Sequence, residues 1–378
     1  MCGQKVEASV PKTICGPCDK IITTPFCTDC GSRGITTIVA RNEPATGQKT
    51  ANPSGNKSLD IQATNKGPLV KTSSFKSLVE RSITAWNSLA YATDTEVKGS
   101  VLRLSATLRR LNSVDDLFRS RIMFWFFQRR DSFMKETRFM KFDINRLEEY
   151  ILIPMDDGFV NKKDCFYVSH LWRTREAPDP RGEDFALARQ DLSTQSWTYV
   201  WIDWTCLPQN ASTPAEKEYF NRMLTRTPVL MRECGFEWRY PTFQPRLWIL
   251  VEVAQYMLNI RTGYAVTDDI KPFINDVLAM KAEGVHQVIT RRGYNCSVSR
   301  DYRLLIGWLE LLIIMTKLVQ DVPLKKMILD AVEPPYVGFL EHVDTGIKVD
   351  KNTGVVSQGG VTYRFTPLYP VDEDGFPK

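Results

Sequence analysis

Histidine is scarce in this chain, with three in 378 residues. No HExxH is present, so the helix-borne metal site of a zincin is disfavoured. GxGxxG and the P-loop are missing as well, which sets aside dehydrogenases and kinases. No cysteine or serine stands at a triad spacing from His170, so a Ser–His or Cys–His hydrolase is disfavoured. Also lacking is the run of about 20 apolar residues that a membrane span needs. The most lipid-like stretch, "LLIGWLELLIIM" from Leu304 to Met315, is short and carries Glu310. It predicts a buried core helix. Met1 to Lys12 has no apolar h-region, so no signal peptide is expected and a cytoplasmic location is. Nine cysteines, an odd number without a secretory signal, argue against a disulfide framework.

What remains is ordinary for a folded protein: 43% hydrophobic and 25% charged residues, with a net charge of +5. The length allows two or three domains. The mild basicity permits contact with polyanions without requiring it.

Four cysteines have metal-ligand spacing. Cys15-x2-Cys18 and Cys27-x2-Cys30 are two CxxC pairs eight residues apart. Each pair can offer two thiolates to one tetrahedral Zn2+. Gly16 and Gly31 suit the tight turns of such knuckles. The segment has almost no apolar residues to fold around, so the metal would supply its folding energy. A structural zinc ribbon is expected over 1–34. Only Lys20 and Arg33 lie near it, which disfavours nucleic acid as its partner. Residues 35–72 are rich in Gly, Pro, Asn, Ser and Thr and predict a flexible linker.

Helical periodicity then begins. Phe75, Leu78, Val79, Ile83, Trp86 and Leu89 share one face at three- and four-residue steps, and Leu104, Leu108 and Leu111 continue the pattern. "NSVDD" predicts a break and a cap, and a further helix is expected over Ile144 to Tyr150. Residues 73–155 therefore predict a helical module. Residues 101–141 within it carry ten Lys/Arg against four Asp/Glu, a local net of +6. A solvated helix face is the favoured reading over a polyanion patch.

From Cys165 the pattern becomes α/β. "CFYVSH" and "TYVWID" predict buried strands. "FALARQDLS", Pro214 to Arg226 and Arg246 to Asn259 predict helices, the second with Thr213 as N-cap and Pro214 in the first turn. "TPVLMREC" is expected as a third strand. Alternation of strands and helices implies a parallel sheet covered on both faces. Helices are expected over Lys271 to Lys281 and Tyr302 to Val319, and a β-hairpin near the C-terminus.

In such a sheet, ligands bind beyond the carboxyl ends of the strands. The first strand ends in Ser169, His170, Leu171, Trp172 and Arg173, and the second in Asp203, Trp204, Thr205 and Cys206. If the strands are neighbours, both polar clusters meet at one rim. Ser169 and His170 offer hydrogen bonds, Trp172 and Trp204 flat faces, and Arg173 and Arg175 phosphate contacts. Glu252 interrupts an apolar helix. Its carboxylate either points to solvent or lies in a cleft with a raised pKa.

The blocks "YVSHLW", "YVWIDWTCLPQN", "EKEYFNRM" and "RLWILVE" resemble, in order and approximate spacing, the fungal heterokaryon-incompatibility domain. That family is similar in turn to Toll/interleukin-1 receptor domains, whose "WCxxE" helix carries a glutamate. The resemblance spans Cys165 to Asn259, within a domain set at 160–262. It departs from the family pattern in His170, in Arg173 where Gly is usual, and in Ile249 where Cys or Thr is common. It implies a flavodoxin-like sheet and a cell-death or immune-signalling role. Several Toll/interleukin-1 receptor relatives cleave NAD. By motif, Glu252 takes the place of the catalytic glutamate, Ser169, His170, Trp172 and Arg173 border the nucleotide pocket, and Asp203 matches the second-strand aspartate. Three readings follow: an NAD glycohydrolase, a non-enzymatic module that self-associates with like domains, and a zinc-ribbon nucleic-acid binder. Residues 263–378 are expected to form a helical extension with the hairpin.

Overall fold

The computed structural model describes residues 72–89, 95–155, 158–174, 176–209, 211–240, 242–260, 266–296, 298–333 and 337–368. It also gives the backbone of three short strands, β1 (Lys12–Cys15), β2 (Ile21–Ile22) and β3 (Gly34–Thr37), which form an antiparallel sheet in the order β2-β1-β3. Cys18, Cys27, Cys30 and the side chain of Cys15 lie outside the described residues, as do residues 38–71 of the expected linker and Arg175.

The apolar stripes form two helices, α1 (Thr72–Ser88) and α2 (Thr95–Arg110). Phe75, Leu78 and Trp86 of α1 and Leu104 and Leu108 of α2 are buried. Ser113 caps α3 (Val114–Arg119) by accepting the Asp116 N–H.

The next segment differs from the helical expectation. Phe124–Arg129 is a strand, β4, followed by the single turn α4 (Arg130–Phe133). Ile144–Glu149 is only a 3₁₀ turn, which leads into β5 (Tyr150–Pro154). Then come β6 (Cys165–His170), α5 (Glu183–Ser193), β7 (Tyr199–Trp201), the single turn α6 (Asp203–Cys206), α7 (Pro214–Glu233), β8 (Gly235–Arg239) and α8 (Leu247–Leu258). Among the described residues the main sheet has five strands in the order β5-β4-β7-β6-β8. β6 runs parallel to both β7 and β8, while β4 is antiparallel to β5 and to β7. The sheet is therefore mixed α/β rather than wholly parallel. β4 escapes sequence detection because Phe124, Trp125, Phe126 and Phe127 are all buried. With both faces covered, its apolar run shows no two-residue alternation.

The expected strand "TPVLMREC" is instead the end of α7, and the third parallel strand starts just after it. Proline at 228 removes the N–H that would bond the Leu224 carbonyl. The Thr227 hydroxyl takes its place, donating to Leu224 O at 2.6 Å. The start of α7 is as expected, with a capping box between Thr213 and Glu216.

Side chains alternate across the parallel strands. Phe166, Val168, Val200 and Ile202 pack with Phe185, Ala188 and Leu192 of α5. Tyr167, Tyr199 and Trp201 face a larger core that contains Met223 and Leu230 of α7 and Leu250 and Val251 of α8. At the far side, α1 seals the β5 edge. Arg81 Nε donates to Tyr150 O at 3.0 Å, Trp86 Nε1 to Leu152 O at 2.6 Å, and Ser82 Oγ accepts the Leu152 N–H at 2.8 Å. These bonds occupy backbone groups that an edge strand would otherwise expose.

The remaining helices are α9 (Lys271–Glu283), α10 (Val285–Arg292), α11 (Ser299–Leu318) and α12 (Val322–Val332). The expected hairpin is the last part of an antiparallel sheet of β9 (Phe339–His342), β10 (Ile347–Asp350), β11 (Val355–Gln358) and β12 (Val361–Arg364). No helix among the described residues is long and apolar enough to cross a membrane.

Candidate functional site

Because β6, β7 and β8 are parallel, their carboxyl ends share one edge of the sheet. Ser169 and His170 close β6, Asp203 lies two residues beyond β7, and Tyr240 directly follows β8. Glu252 reaches the same edge from α8.

Alternation divides the Ser169–His170 pair between the two faces of the sheet. Ser169 points the same way as Tyr167, toward α8. Its hydroxyl bonds one oxygen of the Glu252 carboxylate, and the Tyr167 hydroxyl donates to the other at 3.0 Å. The Tyr240 hydroxyl in turn donates to Ser169 Oγ. Glu252 is thus neither a solvated helix residue nor an unpaired buried charge. Burial is the largest influence on its acidity and raises its pKa to about 7. The Ser169 and Tyr167 hydroxyls and His170 oppose that rise, while the Asp203 charge adds to it.

His170 points to the other face. Its ring stacks on Phe139 at 4.7 Å, and Nε2 meets Asp203 Oδ1 at 3.0 Å. Asp203 Oδ2 accepts the Trp172 indole N–H at 2.9 Å. Burial disfavours the imidazolium, but the bond to Asp203 and its charge outweigh that, so the His170 pKa is raised. Trp172 meets Trp204 edge to face at 5.2 Å. Trp204 is buried, with Lys141 over its ring at 5.5 Å, whereas Trp172 is only partly buried.

Of the residues singled out in the sequence, Glu252, Ser169, His170, Asp203, Trp172 and Trp204 therefore come together at this edge. Arg173 does not join them. Its guanidinium is bidentate on the fully buried Asp184, at 2.8 and 3.1 Å. Sequence reasoning missed Tyr167 and Tyr240. Tyr167 was legible from its two-residue offset to Ser169. Tyr240 gave no such signal, because the strand before it was placed too early.

Part of the basic segment is engaged elsewhere. Arg109 pairs with Glu80, Arg119 with Asp115 and Arg129 with Asp131, and Arg130 donates to Ser193 O and Gln195 O. Among the described residues, no group of three or more His, Cys, Asp or Glu is placed to hold a metal ion.

No family model, curated protein or solved structure matches the chain.

Proposed function

We propose that this protein is a cell-death or immune-type signalling protein, similar to heterokaryon-incompatibility and Toll/interleukin-1 receptor domains, that hydrolyses NAD at the nicotinamide–ribose bond. The observation that carries the reading is the Glu252 carboxylate, held by the Tyr167 and Ser169 hydroxyls in the carboxyl-terminal half of β6, within the electrostatic reach of Asp203 and His170. On this reading the three parallel strands are the remnant of a flavodoxin-like sheet. Self-association through like domains, a cytosolic location and a structural Zn2+ on Cys15, Cys18, Cys27 and Cys30 belong to the same proposal.

The chemistry follows from charge. When the C1′–N bond breaks, the electron pair leaves with the ring and nicotinamide departs neutral. Positive charge then builds on the ribosyl carbon, and the ionised Glu252 stabilises it. Water adds to that carbon, its proton passes to Glu252, and ADP-ribose is formed. Trp172 supplies an aromatic face for the base, and the Glu252 oxygens can accept from the ribose hydroxyls.

The test is nicotinamide release from NAD by the purified full chain. Wild type is expected to release it, and Glu252→Gln to lose at least about a hundredfold in rate, as removal of one charge-stabilising group does elsewhere. Folded, self-associated wild type that leaves NAD intact overturns the reading.

A second reading has its own support. His170 Nε2, the Trp204 ring and Arg173 each have a partner within the chain, in Asp203, Lys141 and Asp184. Such internal pairing favours a non-enzymatic module that works by assembly. In that case Glu252→Gln leaves signalling intact, while changes on exposed helix surfaces abolish it.

A further inference from the structure

We propose that Tyr240 is a positioning residue for Glu252, acting through the Ser169 hydroxyl. The inference rests on the reading of Glu252 as the charge-stabilising carboxylate, and it adds a residue from a third strand end to that site.

The argument is one of hydrogen count. A serine hydroxyl has a single proton to donate and two lone pairs. Ser169 is buried between Tyr240 and Glu252 and meets both. Tyr240 is also buried, and burial raises its pKa well above the ordinary tyrosine value. It therefore stays protonated and must donate its O–H somewhere, and Ser169 Oγ is the acceptor it meets. With one lone pair so occupied, the Ser169 proton is directed to Glu252. The chain Tyr240 to Ser169 to Glu252 has one direction, and that direction favours the ionised carboxylate. Tyr167, donating to the other carboxylate oxygen, acts in the same sense. Together they oppose burial, the largest influence on Glu252, which favours the protonated acid that cannot face a developing cation.

Two charged groups near the strand ends also act on Glu252. Asp203 opposes ionisation of Glu252, and His170 favours it. Arg232 of α7 faces Gln255, about a turn further along α8, and Asp301 of α11 faces Trp248, about a turn earlier.

The experiment uses the full-length protein in four forms: wild type, Tyr240→Phe, Ser169→Ala and the double variant. Two readouts are followed against pH. One is nicotinamide release. The other is the protonation of Glu252, seen as the carboxyl stretch in infrared difference spectra against Glu252→Gln. Tyr240→Phe keeps the ring and removes only the hydroxyl. It is expected to move the Glu252 midpoint upward by about one pH unit, with the acidic limb of the rate profile following. Ser169→Ala is expected to move it in the same direction. In the Ser169→Ala background, Tyr240→Phe is expected to add nothing, since its route to Glu252 is gone. An unmoved midpoint in Tyr240→Phe, or a full shift that persists without Ser169, overturns the relay. If wild type releases no nicotinamide, the NAD reading fails by itself and the infrared midpoints still decide the relay.

Discussion

The Tyr167 hydroxyl on β6 lies 3.0 Å from the Glu252 carboxylate on α8, joining the end of the sheet to a helix 85 residues further along the chain. The environment around this pair holds the Glu252 pKa at about 7, against an ordinary 4.5. The folded state therefore keeps a proton that the unfolded chain has released between those values. Its contribution is most favourable at low pH, declines as pH rises through that window and levels off above about 7. Wild type should thus lose about 2 kcal/mol of stability relative to Glu252→Gln between pH 5 and pH 8. Urea unfolding of both proteins at the two pH values measures this. Identical pH dependence would mean that the carboxylate is not destabilised by its surroundings.

Arg173 makes a different commitment. Its fork matches Asp184, a residue with no exposed side-chain surface. Arg173→Ala should destabilise the fold by about 3 kcal/mol, because an unpaired carboxylate is left buried. Arg173→Lys should recover little of the loss, since an ammonium cannot reproduce two parallel bonds. Denaturation midpoints decide it. Full rescue by lysine would contradict the bidentate geometry.

The legible parts of the chain were those whose pattern has one period and one exposed face. α1, α2 and the start of α7 show stripes and caps, and β6 and β7 are short apolar runs between turn residues. β4 was not legible, because a strand buried on both faces has no alternation to read. β8 was displaced because "TPVLMREC" contains a proline and β-branched residues, and nothing local reveals that Thr227 repairs the helix around Pro228. At the site, the meeting of Ser169 and Asp203 followed from the rule for carboxyl ends of parallel strands, while Glu252 was placed with them only by the motif resemblance. Arg173 read as a nucleotide contact because nothing local to it reveals its ion pair. Its partner, Asp184, opens a helix whose packing is a tertiary matter.

Ser82 offers a test of how the sheet edge is kept closed. Its hydroxyl donates to Leu78 O at 2.6 Å and accepts the Leu152 N–H at 2.8 Å. Ser82→Ala leaves that buried N–H without a partner, at a cost of about 1–3 kcal/mol. Hydrogen exchange should localise the damage, with the Leu152 amide exchanging faster than amides of β6. Unchanged protection at Leu152 would show that another group satisfies the edge.

Arg232 ties the helix that carries Glu252 to the C-terminal region. It is buried on α7, donates through Nε to Asp330 at 2.9 Å and through Nη1 to Gln255 of α8 at 2.8 Å, and reaches Glu333 at 3.3 Å. Glu333 is itself buried, and burial raises its pKa to about 7 against the pull of Arg232 and Arg226. Arg232→Met fills much of the same volume but removes the positive charge. The Glu333 pKa must then rise further. At pH 5 the carboxyl is protonated in either protein and loses little. At pH 8 it must either stay charged without its main partner or take up a proton against the solvent. The variant should therefore be less stable than wild type at both pH values, and the deficit should be larger at pH 8 by about 1–2 kcal/mol. Equal deficits at pH 5 and pH 8, measured by urea unfolding, would show that Arg232 acts through Asp330 and Gln255 and not by holding the charge of Glu333.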